Sequence, residues 1–92
     1  DPGAAGTIAT AGVDIALVTP AAARTGIILA AGTFNGQVVW VVNQGIAAST
    51  LTFNTTPGTS FVANAATATA IAGLTARLFV WNSTLSLWYQ TA

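Results

Sequence analysis

The sequence contains no cysteine, histidine, methionine, lysine or glutamate. Each absence removes a class of function. Without cysteine no disulfide can staple a small fold, and the redox compartment leaves no trace in the chain. Without cysteine and histidine the usual zinc ligands are missing. Charge is almost absent as well: Asp1, Asp14, Arg24 and Arg77 make up 4% of the residues and sum to zero. Ordinary soluble domains carry about 25% charged residues. So sparse a set forms neither a basic patch for nucleic acid nor a polybasic face for an anionic membrane.

Reaction chemistry is excluded on the same grounds. General acid–base catalysis needs a group that titrates near neutral pH, usually His, Glu, Asp, Lys or Cys. Only Asp1 and Asp14 are left, and Asp1 opens a Gly/Ala-rich stretch. Serine and threonine hydroxyls are plentiful, but as nucleophiles they require an activating base. A single structured carboxylate does not build a calcium or magnesium site without many carbonyl ligands. The sequence therefore reads as non-enzymatic, with no cofactor and no metal.

What the chain does have is apolar surface: 53% hydrophobic residues and a mean hydropathy of +0.70. The one candidate membrane span, Ala63 to Trp81, is interrupted by Asn64, Thr67, Thr69, Gly73, Thr75 and Arg77. A spanning helix needs about 20 mostly apolar residues, so no membrane insertion is expected. Residues Asp1 to Gly6 show no basic start followed by an apolar core, hence no signal peptide in this stretch. A chain without an initiator Met reads as a processed product or a piece of a longer one. At 92 residues it is one small domain, marginal as an isolated monomer. Its neutral, Ala/Thr-rich surface is poorly defended against association. Coverage by copies of the same chain is the expectation that follows.

The pattern is organised around Gly36-Gln37-Val38-Val39-Trp40-Val41-Val42-Asn43, flanked by Asn35-Gly36 and Asn43-Gln44-Gly45. β-Branched and aromatic residues fit a pleated surface, and Asn and Gly suit the turns on either side. The run is strand-length. Val38, Trp40 and Val42 share one side; Val39 and Val41 share the other with Gln37 and Asn43. Both sides are apolar in the middle, which calls for cover on both, one by the domain's own core and the other by a neighbouring subunit. Trp40 is expected to be packed, with Val38 and Val42 lining the core.

Residues 1–12 read as a flexible N-terminal arm or linker, and residues 13–92 as a single β-domain. Asp14 to Thr19 alternates and is ended by Pro20; Thr19-Pro20-Ala21-Ala22-Ala23 reads as a helical turn or a plain connector. Gly26 to Ala30 is a strand. Ser49 to Asn54 alternates most clearly, with Leu51 and Phe53 inward. Thr55-Thr56-Pro57-Gly58 reads as a turn, Ser60 to Ala63 as a strand, and Ala65 to Leu74 as extended chain. Ala76 to Trp81 and Leu85 to Gln90 frame Asn82-Ser83-Thr84 as a terminal hairpin. About seven short strands at this spacing give an all-β fold: a small antiparallel β-sandwich or barrel, jelly-roll or tulip-like.

Among possible contact residues, Trp40, Trp81, Trp88 and Tyr89 combine apolar rings with polar handles, as a sugar-binding platform or a protein interface does. With Trp40 expected to be packed, Trp81, Trp88 and Tyr89 near the chain end are the contact candidates. Packing anchors and cross-strand pairs have the same composition. Arg24 and Arg77 are the only cations and are candidates to pair with Asp14 or with a carboxylate on a neighbour. Asn54-Thr55-Thr56 and Asn82-Ser83-Thr84 match the N-glycosylation pattern, but both asparagines fall in turns, where Asn is favoured anyway.

Taken together, Ile28-Leu29, Gly32-Thr33 and the Gly36 to Asn43 run resemble small β-domains in structural proteins of tailed bacteriophages. So do Ser60-Phe61-Val62-Ala63-Asn64, Ile71-Ala72-Gly73-Leu74 and the segment from Phe79-Val80-Trp81-Asn82 through Trp88. Such domains occur in head fibres, capsid decoration proteins and tail fibres, and the likeness spans about Thr25 to Tyr89. The resemblance implies a virion component on the exterior of the particle, oligomeric and often trimeric, with capsid or fibre proteins as partners. A carbohydrate- or host-receptor-binding module at a fibre tip is the alternative it leaves open.

Overall fold

The computed structural model describes residues 1–54, 61–63 and 70–91. Among them are nine strands and no helix. The strands are β1 (Thr7–Ile8), β2 (Ile15–Val18), β3 (Arg24–Leu29), β4 (Val38–Asn43), β5 (Leu51–Phe53), β6 (Phe61–Ala63), β7 (Ala70–Ile71), β8 (Thr75–Asn82) and β9 (Leu87–Gln90). They form a four-stranded sheet in the order β1-β3-β5-β7 and a five-stranded sheet in the order β2-β4-β8-β9-β6. The all-β sandwich class read from the spacing of strands is the one that forms.

The sheets are mixed, not antiparallel as expected. Through β8, each successive strand lies in the opposite sheet from the one before it. From β1 to β5, each excursion to the other sheet and back returns the chain to its first sheet running in its original direction. Hence β1 and β3, β2 and β4, and β3 and β5 pair in parallel. Parallel neighbours need a long crossover, and here a strand of the other sheet supplies it in place of a helix. The pattern changes after β5: β5–β7, β4–β8 and β8–β9 are antiparallel, while β6–β9 is parallel. β8–β9 is the terminal hairpin.

The core lies between the sheets. Val39 and Val41 of β4 pack against Ile27 and Leu29 of β3, Leu51 and Phe53 of β5, Ile71 of β7 and Phe79 of β8. Phe53 and Phe79 meet edge to face across the sandwich at 5.2 Å. At the hairpin, Trp81 and Trp88 are register partners with ring centroids 5.2 Å apart. The expected orientation of β4 is thus reversed: Val39 and Val41 are fully buried, while Val38 and Trp40 are exposed and Val42 half-buried.

The reversal has a hydrogen-bonding cause. Gln37 and Asn43, which share the side of Val39 and Val41, are both buried. Gln37 donates from Nε2 to the Thr10 carbonyl (2.8 Å) and accepts the Thr33 N–H at Oε1 (2.7 Å). Asn43 donates from Nδ2 to the carbonyls of Ser49 (2.8 Å) and Ile71 (3.0 Å) and accepts the Gly45 N–H (2.9 Å). Fully partnered polar groups can be buried at little cost. The two amides therefore staple both ends of β4 to the opposite layer.

Residues 1–12 are also corrected from a loose arm to part of the sandwich. Thr7 and Ile8 pair with Ile28 and Leu29, and Ile8 joins the core. The Thr10 hydroxyl, buried, donates towards the carbonyls of Ala30 and Ala31. Residues 19–23 form a connector without a helical turn. The expected turn at 55–58 and the expected extended segment over 65–69 lie outside the described residues; the end of the latter is β7.

Candidate interaction face

On the five-stranded sheet, inward positions alternate with a second set that points away from the core. The register aligns that set in rows. Ile15 pairs with Trp40 and Trp40 with Leu78; Leu17 pairs with Val42 and Val42 with Ala76; Val38 pairs with Val80 and Val80 with Tyr89. Every member of these rows is apolar or aromatic. Ile15 is 58% exposed, Leu17 64%, Val38 43%, Trp40 40% and Tyr89 40%. Leu78 and Val80 are half-buried.

No charge falls in these rows, although Asp14 shares a cleft with Val38 at their margin. Arg77 pairs with Val41, an inward position, so its side chain starts from the other side of the sheet. It donates to the Ala76 carbonyl at 3.0 Å. Arg24, on β3, is held by Asp1 in a two-point ion pair at 2.7 and 3.2 Å. Asp14 precedes β2 and opens into a cleft of about 420 Å³ lined by Val13, Thr33, Phe34 and Val38 among others. With aromatic side chains contributing about 150–250 Å² each when fully exposed, the five exposed residues present on the order of 500 Å² of uncharged surface. The largest apolar patch on a typical monomer is about 300–600 Å².

The contact residues suggested by the sequence are divided by the structure. Trp81 and Trp88 are core residues: both are buried, and the Trp88 indole N–H donates to the Ala30 carbonyl at 2.9 Å. They offer no surface platform for a sugar. Tyr89 does lie on the outer face, where its hydroxyl accepts a hydrogen bond from Asn82 Nδ2 at 3.3 Å. Arg24 and Arg77 lie away from it. Asn82 has a turn role, its Oδ1 accepting the Leu85 N–H at 3.0 Å. The residues that sequence reasoning missed are Ile15, Leu17, Val38 and Trp40. The available signal was the Asn43-Gln44-Gly45 turn: Asn favours bonding its own backbone two residues on, which draws Asn43, and with it Val39 and Val41, inward.

Among the described residues, no three His, Cys, Asp or Glu side chains come together. No helix there is long and apolar enough to cross a membrane. Comparison with protein-family models, with curated proteins and with solved structures gives no match.

Proposed function

We propose that the chain is a non-enzymatic structural module that works by associating with copies of itself, its contact surface being the outer face of the five-stranded sheet. The observation that carries this reading is the uncharged row of Ile15, Trp40 and Leu78 with its neighbours Leu17, Val38 and Tyr89, open on a chain with only four charged residues. Two such faces in contact bury about 1,000 Å², the lower bound for a specific interface. Obligate interfaces resemble a core cut in half, and this face has that composition. The setting in a virus particle, as a capsid decoration or fibre module on its exterior, rests on the resemblance of the Gly36–Asn43 run and its flanking motifs to bacteriophage structural β-domains. The glycan-binding alternative loses Trp81 and Trp88 to the core and keeps Trp40 and Tyr89, both on the outer face, of its four rings.

Sedimentation at micromolar concentration tests the association. Wild type should form a defined oligomer, and Trp40→Asp, which places a carboxylate in the middle of the face, should stay folded and sediment at lower mass. A wild-type monomer at that concentration defeats the reading. Labelling assembled particles with an antibody to the chain tests the setting.

A further inference from the structure

We propose that the open edge of β2 is a pairing edge, which adds antiparallel to β2 of a second copy and joins two five-stranded sheets into one. The choice of partner rests on the self-association reading above; the geometry of the edge is independent of it. β2 is the first strand of its sheet and has β4 as its only strand neighbour among the described residues. The Trp40 N–H donates to the Asp14 carbonyl at 2.9 Å, and the Gln44 N–H to the Val18 carbonyl at 2.7 Å. In a parallel ladder the backbone groups of alternate residues turn to the same neighbour. Asp14, Ala16 and Val18 therefore face β4, and Ile15 and Leu17 direct their N–H and C=O groups outward. Those four groups have no hydrogen-bond partner among the described residues.

Natural edges are guarded by charge, proline, bulges or brevity. The other outermost strands are short: β1 and β7 have two residues each and β6 has three. β2 has four, Ile-Ala-Leu-Val, in unbroken register with β4. It contains no charge and no proline; Asp14 and Pro20 lie beyond its ends. Among the described residues, β2 is the longest of the four outermost strands and carries none of these guards within it.

Two-fold pairing suits the sequence. Placing Ile15 opposite Leu17 of the second copy lets the outward groups exchange four N–H···O=C bonds, two at each such pair. Ala16 then meets its own copy at the axis as a non-hydrogen-bonded pair, where side chains approach most closely and a methyl group fits. Ile15 and Leu17 of the two copies stand side by side on the outer face, so the apolar rows run on from one subunit into the next. The two Asp14 carboxylates end about 14 Å apart along the strands, at a rise of about 3.4 Å per residue. That exceeds the screening length of about 8–10 Å at moderate salt. The symmetry is two-fold, so the edge builds dimers or multiples of dimers.

The test uses the whole chain, which has no cysteine of its own. Ala16→Cys should cross-link to its symmetry mate under mild oxidation, because Cα atoms of such a pair lie within disulfide reach; Ile46→Cys, in an exposed loop, should not. Leu17→Pro removes an outward N–H without losing a bond to β4 and should halve the sedimenting mass. Ile15→Pro, which removes the other outward N–H, should do the same if the Leu17 variant misfolds, while Ile46→Lys leaves the mass unchanged. If both proline variants, folded, keep the wild-type mass while Val38→Asp loses it, self-association stands and edge pairing is overturned. A wild-type trimer, or a failure of Ala16→Cys to cross-link within an oligomer, also overturns it. A wild-type monomer removes both proposals.

Discussion

Trp40 and Trp88 sit in the same sheet, one strand apart, on β4 and β9 with β8 between them. Trp88 is fully buried and hydrogen-bonded; Trp40 is 40% exposed and faces away from the core. Trp40 has the more hydrophobic neighbours, Val39 and Val41, whereas Trp88 is next to Leu87 and Tyr89 and two residues from Ser86 and Gln90. Local hydrophobicity thus points the wrong way. Strand parity decides, and parity is set by which side meets the second sheet. In a chain this apolar, an apolar side chain does not mark the inside. The buried amides do, because only the interior supplies Gln37 and Asn43 with their backbone partners.

The comparison breaks most violently at Trp88. Trp88→Ala should cost roughly 3–5 kcal/mol, as truncation of a buried Trp does. Small domains have about 5–15 kcal/mol in all, so thermal unfolding should find the variant unfolded or barely folded. Next is the staple that fixes the parity of β4. Asn43→Ala strands the carbonyls of Ser49 and Ile71 and the N–H of Gly45. A loss of about 2–3 kcal/mol in denaturant unfolding is expected from buried groups left unpartnered. Gly32 sharpens the picture from the Trp81 side. A Cβ built there would meet the Trp81 ring at 2.2 Å, so Gly32→Ala should cost about 1–3 kcal/mol by overpacking. Trp40→Ala, by contrast, should shift monomer stability by at most about 1 kcal/mol, as partly exposed positions do, while reducing the sedimenting mass. Smallest of all is Arg24→Ala: its ion pair with Asp1 is partly solvent-exposed, and such pairs contribute about 0–1 kcal/mol. Melting of wild type should be correspondingly insensitive to molar salt.

Much of the fold was legible because it is written in short-range chemistry. The alternation of Leu51, Thr52 and Phe53 and the stop at Pro20 each specify their own segment, and β5 and β2 form within the stretches read for them. The β8–β9 hairpin forms too, with its turn moved from Asn82-Ser83-Thr84 to residues 83–86. Three features were not legible. The parallel pairings follow from the chain's alternation between sheets, a long-range property with no local signature. The Gly/Ala-rich start looked like a linker because its place in the sandwich depends on a single core side chain, Ile8, and on backbone bonds such as Ile28 N–H to the Gly6 carbonyl at 2.9 Å. The candidate face was foreseen as a second apolar side of β4 needing cover, but its membership was inverted. Val38 and Val39 are the same residue, and only the Asn43 and Gln37 staples tell their sides apart.

The central claim is that Trp40's side of β4 is covered by other copies, and tryptophan accessibility measures it most directly. Acrylamide quenching of intrinsic fluorescence can be followed as the protein is diluted, for wild type and for Trp40→Phe. Of the three tryptophans only Trp40 is exposed in the single chain. The quenchable fraction of wild type should therefore rise as the assembly dissociates, and Trp40→Phe should show no such rise. A quenchable fraction that is high and independent of concentration in wild type, or a rise that survives in Trp40→Phe, contradicts the account.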